Sequence, residues 1–289
     1  MLDALWLQAA LGGLFGLLVG SFLNVVIYRL PKMMERAWAA NAAELTGQAS
    51  AHEAPAEKFN LLTPRSRCQQ CGHQISWYEN IPIVSYLALR GRCAACRAPI
   101  SLRYPLVELV TAMLFAWCAW RWGWTWAAAS WCLFSSVLIA ATLIDWDTTL
   151  LPDDLTLPLL WAGLITASLG WSGVPLGDAV WGAIGGYLSL WLVYWAFKLA
   201  TGKEGMGYGD FKLFAALGAW FGWQALVPII LMASVVGAVI GIGMKLTKSL
   251  REGRYVPFGP FLSIAGITAM LFGPQAILRP ILRAAGLQM

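Results

Sequence analysis

The feature that most constrains the fold of this chain is a series of long apolar stretches. They lie at about 5–28, 105–121, 125–144, 155–173, 177–199, 210–224, 225–244 and 257–277, with the sixth short and its boundary with the seventh indistinct. An α-helix needs about 20 mostly apolar residues to cross a bilayer. Hydrophobic residues make up 59% and charged residues 12% of the chain, against roughly 45–50% and about 25% in soluble domains. We therefore expect an all-α polytopic membrane protein with about eight transmembrane helices.

The first apolar stretch lies where a secretory signal would, but it has neither a basic segment before it nor a small-residue cleavage site after it. Asn24 and Tyr28 follow its apolar part. We expect it to be retained, which divides the chain into a first transmembrane helix over 1–30, a polar loop domain over 31–104 and a transmembrane domain over 105–289.

The distribution of Lys and Arg predicts the orientation, because basic loops stay in the cytoplasm. If residue 1 lies outside, 17 of the 20 basic residues fall on the cytoplasmic side, leaving Arg121, Arg279 and Arg283 outside. Asp145 and Asp210 then face the cytoplasm. The net charge of +5 follows mostly from this topology, favours anionic lipid headgroups and does not indicate a nucleic-acid partner.

The polar loop has two parts. The first, 36–60, is rich in Ala, Glu and Gln without a clear apolar period, so helix fragments and a mobile linker fit equally well. The second carries two Cys-x-x-Cys pairs, formed by Cys68, Cys71, Cys93 and Cys96. Two close thiol pairs can offer four sulfurs to one tetrahedral Zn²⁺, and their spacing is only slightly longer than that of usual zinc ribbons. We expect a zinc-ribbon-like cytoplasmic insert between the first and second transmembrane helices.

Two disulfides and a redox-active thiol set are the alternatives. Disulfides require an oxidising compartment, whereas the predicted topology places the loop in the reducing cytoplasm. A zinc ion with four sulfur ligands has no open position, so it would fold the loop and would not catalyse. His73 follows the first pair, but four cysteines already complete the site. Cys118 and Cys132 lie in apolar stretches and are expected to pack there.

The catalytic chemistry must come from carboxylates. The two histidines, His52 and His73, both lie in the loop, which excludes an HExxH metalloprotease helix and a Ser-His triad in the transmembrane domain. Asp145 ends one apolar run, and Asp210 closes Gly207-Tyr208-Gly209-Asp210 before another. Carboxylates at the edge of hydrocarbon are costly and mark functional sites. A pair of aspartates supports acid–base hydrolysis without a covalent intermediate.

Both aspartates also have simpler interpretations. Gly207 and Gly209 would permit φ > 0 and let an extended substrate backbone pass close to Asp210, but Asp210 could also cap a helix that begins at Phe211. Asp145 begins the segment 145–154, which could be a solvated loop whose Asp153 or Asp154 caps the next span. These alternatives remain open on the residues alone.

Several motifs occur together and in order. They are Gly20-Ser21-Phe22-Leu23-Asn24 through Pro31, the two Cys-x-x-Cys pairs, Arg103-Tyr104-Pro105-Leu106-Val107-Glu108, Ile144-Asp145 through Leu151-Pro152-Asp153, and Gly207-Tyr208-Gly209-Asp210. With this membrane layout, the chain resembles the bacterial type IV prepilin peptidase and N-methyltransferase family over nearly its whole length. The family consists of polytopic aspartic proteases of the inner membrane.

The resemblance implies that Asp145 and Asp210 are the catalytic residues. Asp147 is the rival for the first role, but the family's catalytic aspartate comes eight positions before the residue that follows the Leu-Pro step, which is Asp153 here. Asp153 and Asp154 fit that role less well than Asp147.

The resemblance also implies two reactions on prepilins and pseudopilins of type IV pilus or type II secretion systems. The basic leader is cut after a glycine on the cytoplasmic side, and the new N-terminal residue is methylated from S-adenosylmethionine. The insert fits the bifunctional type of enzyme. No glycine-rich nucleotide loop locates the methyl donor, so Gly91, Arg92, Asn24 and Glu108 are candidates, each with a structural role as the alternative.

Two other functions compete with this interpretation. A general intramembrane aspartyl protease shares the GxGD motif, but there the first aspartate commonly follows a tyrosine within a span, whereas Asp145 follows Ile144 at a span end. A non-enzymatic carrier would use the aspartates as ion sites and the cysteines as an electron relay. Transporters often contain inverted repeats, and the sequence has no convincing repeat.

Overall fold

The computed structural model describes residues 2–46, 58–247 and 256–284. The α-helices in these ranges are α1 (Leu2–Leu45), α2 (Val84–Ala88), α3 (Arg103–Trp122), α4 (Trp126–Thr148), α5 (Asp153–Ser168), α6 (Leu176–Thr201), α7 (Tyr208–Phe221), α8 (Leu226–Leu246), α9 (Gly259–Phe272) and α10 (Pro274–Ala284). His52, Lys248, Arg251 and Arg254 lie outside the described residues. Packing divides the chain into two units, Met1–Gly123 and Trp124–Met289.

Every predicted apolar stretch coincides with a helix, but the helices differ in length. Within the described ranges, four helical segments are long and apolar enough to cross a membrane: Leu5–Leu45, Trp126–Thr148, Leu176–Thr201 and Trp223–Leu246. Helices α5 and α7 have 16 and 14 residues, and at about 1.5 Å per residue both are shorter than a hydrocarbon core of about 30 Å. The chain is therefore a helical membrane protein, and the total of eight crossings stays a prediction.

Helix α1 is longer than the sequence predicted. It continues past the expected end near residue 28, through Pro31, to Leu45, so the first part of the segment predicted as helix fragments or a linker is one continuous helix. The cause is the Ala-rich composition of 37–45, since Ala, Glu and Leu are strong helix formers. The division at residues 30 and 104 concerns membrane topology, and it remains a prediction.

In the N-terminal unit, α1 packs closely on α3 through glycines spaced four residues apart. A Cβ atom at Gly16 would lie 2.7 Å from the Cα of Ala112, and one at Gly20 would lie 2.7 Å from the Cα of Glu108. Small residues at this spacing let two membrane helices approach to backbone contact. This contact fixes the position of Glu108 relative to the middle of α1.

In the C-terminal unit, an aromatic cluster joins α4, α5 and α7. The Trp220 ring lies 5.0 Å from the Trp131 ring and 4.8 Å from the Phe134 ring between centroids. The indole N–H of Trp220 donates to the backbone oxygen of Leu159 at 2.9 Å, which satisfies a polar group that would be costly to bury unpaired. Helix α7 is thereby fixed against two neighbours.

Helix α6 supports α7 from another side. A Cβ atom at Gly182 would collide with the backbone of Gly218, and the reverse also holds. A Cβ atom at Gly186 would lie 2.7 Å from the backbone oxygen of Phe214 and 3.0 Å from the Cα of Ala215. These glycines permit backbone contact between α6 and α7, so the start of α7 has a defined position.

We expect Gly186→Ala to destabilise the protein, because the new methyl group would meet rigid backbone of α7 and separate the helices, at a cost of about 1–3 kcal/mol. Gly185→Ala is the matched control, since its Cβ would meet only the Leu226 Cδ1 atom, at 3.2 Å. Thermal unfolding in detergent should give a lower Tm for Gly186→Ala and an unchanged or higher Tm for Gly185→Ala. Equal Tm values for the two variants would contradict the α6–α7 packing described.

Candidate active site and cysteine cluster

Asp145 lies in the last turn of α4 and is 4% exposed. The helix ends because Thr149 adopts a left-handed conformation, with φ of 57° and ψ of 28°, and its N–H donates to the backbone oxygen of Asp145 at 2.7 Å. The backbone N–H of Gly259 interacts with the Asp145 carboxylate. The helix end thus holds a buried carboxylate next to the start of α9.

Asp210 lies in the first turn of α7 and is 6% exposed. Helix α7 begins at Tyr208 with Gly207 as its N-cap, so Asp210 is inside the helix and does not cap a helix starting at Phe211. Negative charge near a helix N-terminus is stabilised by the unpaired N–H groups there. The sequence context therefore favours a carboxylate at this position.

The two aspartates line one cavity of about 230 Å³. They are close enough for the charge of Asp145 to act on Asp210. Oδ2 of Asp145 and Oδ1 of Asp210 are buried, and neither has a hydrogen-bond partner within the described part of the chain. Buried polar atoms are rarely left unpaired unless water, an ion or a ligand contacts them. The arrangement brings together two buried carboxylates, each with one oxygen that lacks a hydrogen-bond partner in the described part of the chain.

The rival acidic residues have other surroundings. Asp147, Asp153 and Asp154 are exposed, and none of them lines this cavity. Asp153 accepts from the Lys212 ammonium at 2.6 Å, which joins the start of α5 to the first turns of α7. This geometry favours Asp145 over Asp147 as the partner of Asp210.

The glycines of the GxGD motif do not use the positive φ that the sequence suggested. Gly207 has φ of −82°, and Gly209 is helical, so neither uses φ > 0. A Cβ atom at Gly209 would lie 2.6 Å from the Cβ of Leu151. The absence of a side chain at Gly209 therefore lets the GxGD turn contact the segment between α4 and α5.

Sequence reasoning missed part of the cavity wall. Val256, Pro257 and Phe258 line it, and a Cβ atom at Gly259 would lie 2.5 Å from Oδ2 of Asp145. A signal was available, because a glycine between two prolines at the start of an apolar run indicates a tight backbone approach. Glu204 also lines the cavity, and the hydrogen bond from Lys198, 2.8 Å long, lowers the pKa of this carboxyl.

The four cysteines Cys68, Cys71, Cys93 and Cys96 form one cluster in the N-terminal unit. Their sulfurs all lie within 4.8 Å of one another. The distance between the Sγ atoms of Cys68 and Cys96 is 3.9 Å, and between those of Cys71 and Cys93 it is 4.0 Å. Four sulfurs at about 2.3 Å from a tetrahedral Zn²⁺ would be about 3.8 Å apart. The cluster therefore fits a zinc ion, whereas a disulfide needs sulfurs about 2.05 Å apart.

The backbone around the two pairs repeats. The N–H of Cys68 donates to His73 and that of Cys93 donates to Ala98, both at 2.8 Å. The residue after the second cysteine of each pair, Gly72 or Arg97, has a positive φ, of 72° and 61° respectively. Each Cys-x-x-Cys pair is thus a tight turn that directs its two thiols to the same side. The sequence predicted the spacing of the cysteines but not these turns.

Local contacts give the thiols of Cys68 and Cys71 different pKa values. Backbone N–H groups of Cys71 and Gln70 lower the pKa of Cys68 to about 6. The backbone of His73 acts in the same direction on Cys71, but burial and the neighbouring sulfurs raise the pKa of Cys71 to about 11. The thiolate is the form that binds a metal. The His73 ring lies outside the cluster and contacts Glu79 at 3.2 Å.

The candidate methyl-donor residues divide into two groups. Asn24 and Glu108 line a second cavity, of about 450 Å³, within the N-terminal unit. Gly91 and Arg92 do not line it. Gly91 has φ of 66° and occupies a turn beside Tyr86, and Arg92 is exposed. Asn24 and Glu108 thus share the wall of this cavity, whereas Gly91 and Arg92 lie outside its lining.

Comparison with known proteins gives two consecutive family matches. The description "Bacterial Peptidase A24 N-terminal domain" applies to residues 14–122, and "Type IV leader peptidase family" applies to residues 132–242. The boundary between the matches falls where packing divides the chain into its two units. No solved structure matches the chain.

Similar curated proteins carry the name "Prepilin leader peptidase/N-methyltransferase". One from Pseudomonas aeruginosa is 55% identical over 94% of this chain and 93% of its own length. Another from Stutzerimonas stutzeri is 56% identical over 90% and 89%, and one from Burkholderia pseudomallei is 49% identical over 92% and 86%. By these matches over nearly its full length, the chain belongs to the type IV leader peptidase family.

Proposed function

We propose that this protein is a membrane aspartic endopeptidase that removes the basic leader from type IV prepilins and pseudopilins after a glycine, and that it N-methylates the new N-terminal residue. The observation that carries the peptidase is the pair Asp145 and Asp210, buried in one cavity with unpartnered oxygens. The names of the similar proteins support both activities.

The pair would work by acid–base catalysis. Two carboxylates held close together do not both ionise readily, so one keeps a proton. The ionised aspartate takes a proton from water as the water oxygen attacks the scissile carbonyl carbon, while the protonated aspartate donates to the carbonyl oxygen. The tetrahedral intermediate then loses its amine, which takes the proton from the first aspartate as the C–N bond breaks, while a hydroxyl of the intermediate returns a proton to the second aspartate. The cycle leaves one carboxylate protonated and one ionised, as at the start.

The position of the aspartate pair relative to the membrane follows from α4 and from the distribution of basic residues. Asp145 is at one end of α4, a helix long enough to cross a bilayer, and the distribution of basic residues predicts that this end faces the cytoplasm. A substrate with a cytoplasmic leader and an apolar helix would present its scissile bond at that depth. We place the enzyme in the bacterial inner membrane, with the aspartates and the cysteine loop on the cytoplasmic side.

Two cofactors are part of the proposal. Cys68, Cys71, Cys93 and Cys96 would hold a structural Zn²⁺, supported by sulfur separations close to those of a tetrahedral site. S-adenosylmethionine would supply the methyl group. Gly91 and Arg92 remain candidates for its binding, although their position in the fold supports an indirect role.

Replacing Asp145 or Asp210 with Asn keeps the side-chain size but removes the titrating group, so cleavage of a prepilin should fall by about 10³-fold or more. Methylation of a substrate that has already been cleaved should survive. Both activities are measured on the purified protein, with Asp147→Asn as the control because Asp147 is acidic, exposed and outside the cavity. Loss of cleavage in Asp147→Asn but not in Asp145→Asn would reverse the assignment.

Gly259→Ala should lower kcat for cleavage, because its methyl group would displace the Asp145 carboxylate. A small misplacement of a catalytic group can cost about 10²-fold in rate. Gly243→Ala is the control, since nothing lies within 4 Å of the Cβ position at Gly243. Steady-state cleavage should show a loss for Gly259→Ala alone. An unchanged kcat in that variant would mean that the position of Asp145 does not limit the reaction.

Protein purified without chelator should contain one zinc per chain, measured by elemental analysis. Cys68→Ser or Cys93→Ser should release the zinc and expose the 58–104 region to limited proteolysis, because metal binding supplies folding free energy to so small a unit. Cys132→Ser, in α4, is the control and should keep the metal. Zinc-free native protein, or two disulfides found by mass spectrometry, would overturn the site.

A further inference from the structure

The polar segment 58–104 of the N-terminal unit exposes several large apolar side chains. Five of them, here called the apolar rim, are between 57% and 81% exposed: Leu62, Trp77, Tyr78, Val84 and Leu87. The 3₁₀ turn Trp77–Asn80 contacts α2, so the last four belong to one local surface. Exposed apolar side chains gathered in a short segment indicate a surface that contacts protein or membrane.

A hydrogen bond to α3 sets the depth of the apolar rim relative to the bilayer. Oε2 of Glu108 accepts from the backbone N–H of Ile83 at 2.8 Å. Glu108 belongs to the apolar stretch that is predicted to cross the membrane from residue 105, and it lies about 4.5 Å past the start of that stretch. Val84 follows Ile83 directly in the sequence. The rim at Val84 therefore lies at the level where hydrocarbon meets the lipid headgroups.

A second contact holds Leu62 at the end of the first apolar stretch. Arg29 is 6% exposed, and its guanidinium donates to the backbone oxygens of Asn60 at 2.9 Å and Pro64 at 2.6 Å. Arg29 directly follows the apolar stretch of α1, which ends near residue 28. The turn that carries Leu62 is thus fixed to the predicted membrane boundary. Two separate contacts bring apolar side chains of the segment to the edge of the bilayer.

The exposed charges of the same segment have one sign. Within 58–104, every exposed charged side chain is basic: Lys58, Arg65, Arg67, Arg90, Arg92 and Arg97. The one carboxylate in this range, that of Glu79, has a side chain 10% exposed and contacts His73 at 3.2 Å. Surfaces that combine Trp, Tyr and Leu with Lys and Arg are typical of proteins that lie in the interface of an anionic bilayer.

We propose that the apolar rim inserts into the headgroup region of the cytoplasmic leaflet, and that the exposed basic side chains of the same segment contact anionic phospholipid. The cysteine-bearing segment then lies on the membrane surface and is not a freely solvated loop. This inference rests on the membrane placement proposed above and on neither catalytic activity.

Charge distinguishes lipid from the proteins that would compete for the apolar rim. The leader of a prepilin is basic, so six exposed basic side chains would repel it. A second copy of this chain would present the same basic segment and would be repelled in the same way. The phosphate groups of anionic lipid carry the complementary charge, and the acyl chains accept apolar side chains. Anionic lipid is therefore the partner that this surface fits.

Photocrosslinking from position 77 tests the contact directly. The crosslinking residue p-benzoylphenylalanine replaces Trp77 in the full-length protein, which is placed in nanodiscs of phosphatidylglycerol and phosphatidylcholine, and adducts are identified by mass spectrometry. Replacement of Trp38 is the matched control, because Trp38 is 50% exposed in the same unit and lies about 15 Å further along α1 than residue 28. Lipid adducts should be several-fold more frequent from position 77 than from position 38.

The same experiment identifies any other partner of the apolar rim. Adducts from position 77 that fall on a second copy, on a prepilin added to the nanodiscs or on Trp124–Met289 would overturn lipid as the partner. Lipid adducts that are equally frequent from positions 77 and 38 would also overturn it.

Hydrogen exchange of the wild-type protein tests the role of lipid charge without any substitution. Amides of 77–90 should exchange more slowly in nanodiscs that contain phosphatidylglycerol than in nanodiscs of phosphatidylcholine alone. Equal exchange in the two would contradict the contact with anionic lipid. Prepilin cleavage, measured in the same nanodiscs, reports on the peptidase separately, so failure of the proposed activity and failure of this surface are distinguishable.

Discussion

The C-terminal unit depends on one unfavourable arrangement, the burial of two carboxylates where the end of α4 meets the start of α7. Isolated charges cost several kcal/mol to remove from water, so the surrounding helices must hold Asp145 and Asp210 in place. The Trp220 cluster and the glycine contacts of α6 with α7 provide this support. Packing far from the cavity therefore helps to set the positions of the two carboxylates.

The N-terminal unit is subject to a different constraint, the small size of its polar segment. Its polar segment is too small to form a large hydrophobic core, and two repeated Cys-x-x-Cys turns place four sulfurs at the spacing of a tetrahedral metal site. Close packing of α1 on α3 then brings Asn24 and Glu108 to the wall of one cavity.

The sequence predicted the elements whose signals are local. Apolar runs gave the positions of the helices, the cysteine spacing gave the cluster, and the cost of carboxylates at a membrane edge indicated Asp145 and Asp210. The Gly259 turn has a local sequence signal, but its contact with Asp145 was missed because the two residues are more than a hundred positions apart in the sequence. The full length of α1 was also missed, since an Ala-rich segment after a proline has no apolar period to indicate how it folds.

The membership of the chain in the type IV leader peptidase family rests on matches over nearly its full length, whereas the roles of single residues rest on geometry. The central claim is that Asp145 and Asp210 act as one catalytic unit. A double-mutant cycle tests it directly, by comparing kcat/KM for prepilin cleavage in Asp145→Asn, Asp210→Asn and the double variant. Residues that act as a unit are strongly non-additive, so the double variant should be no slower than the slower single variant. Losses that multiply in the double variant would show that the two aspartates act independently and would contradict the account.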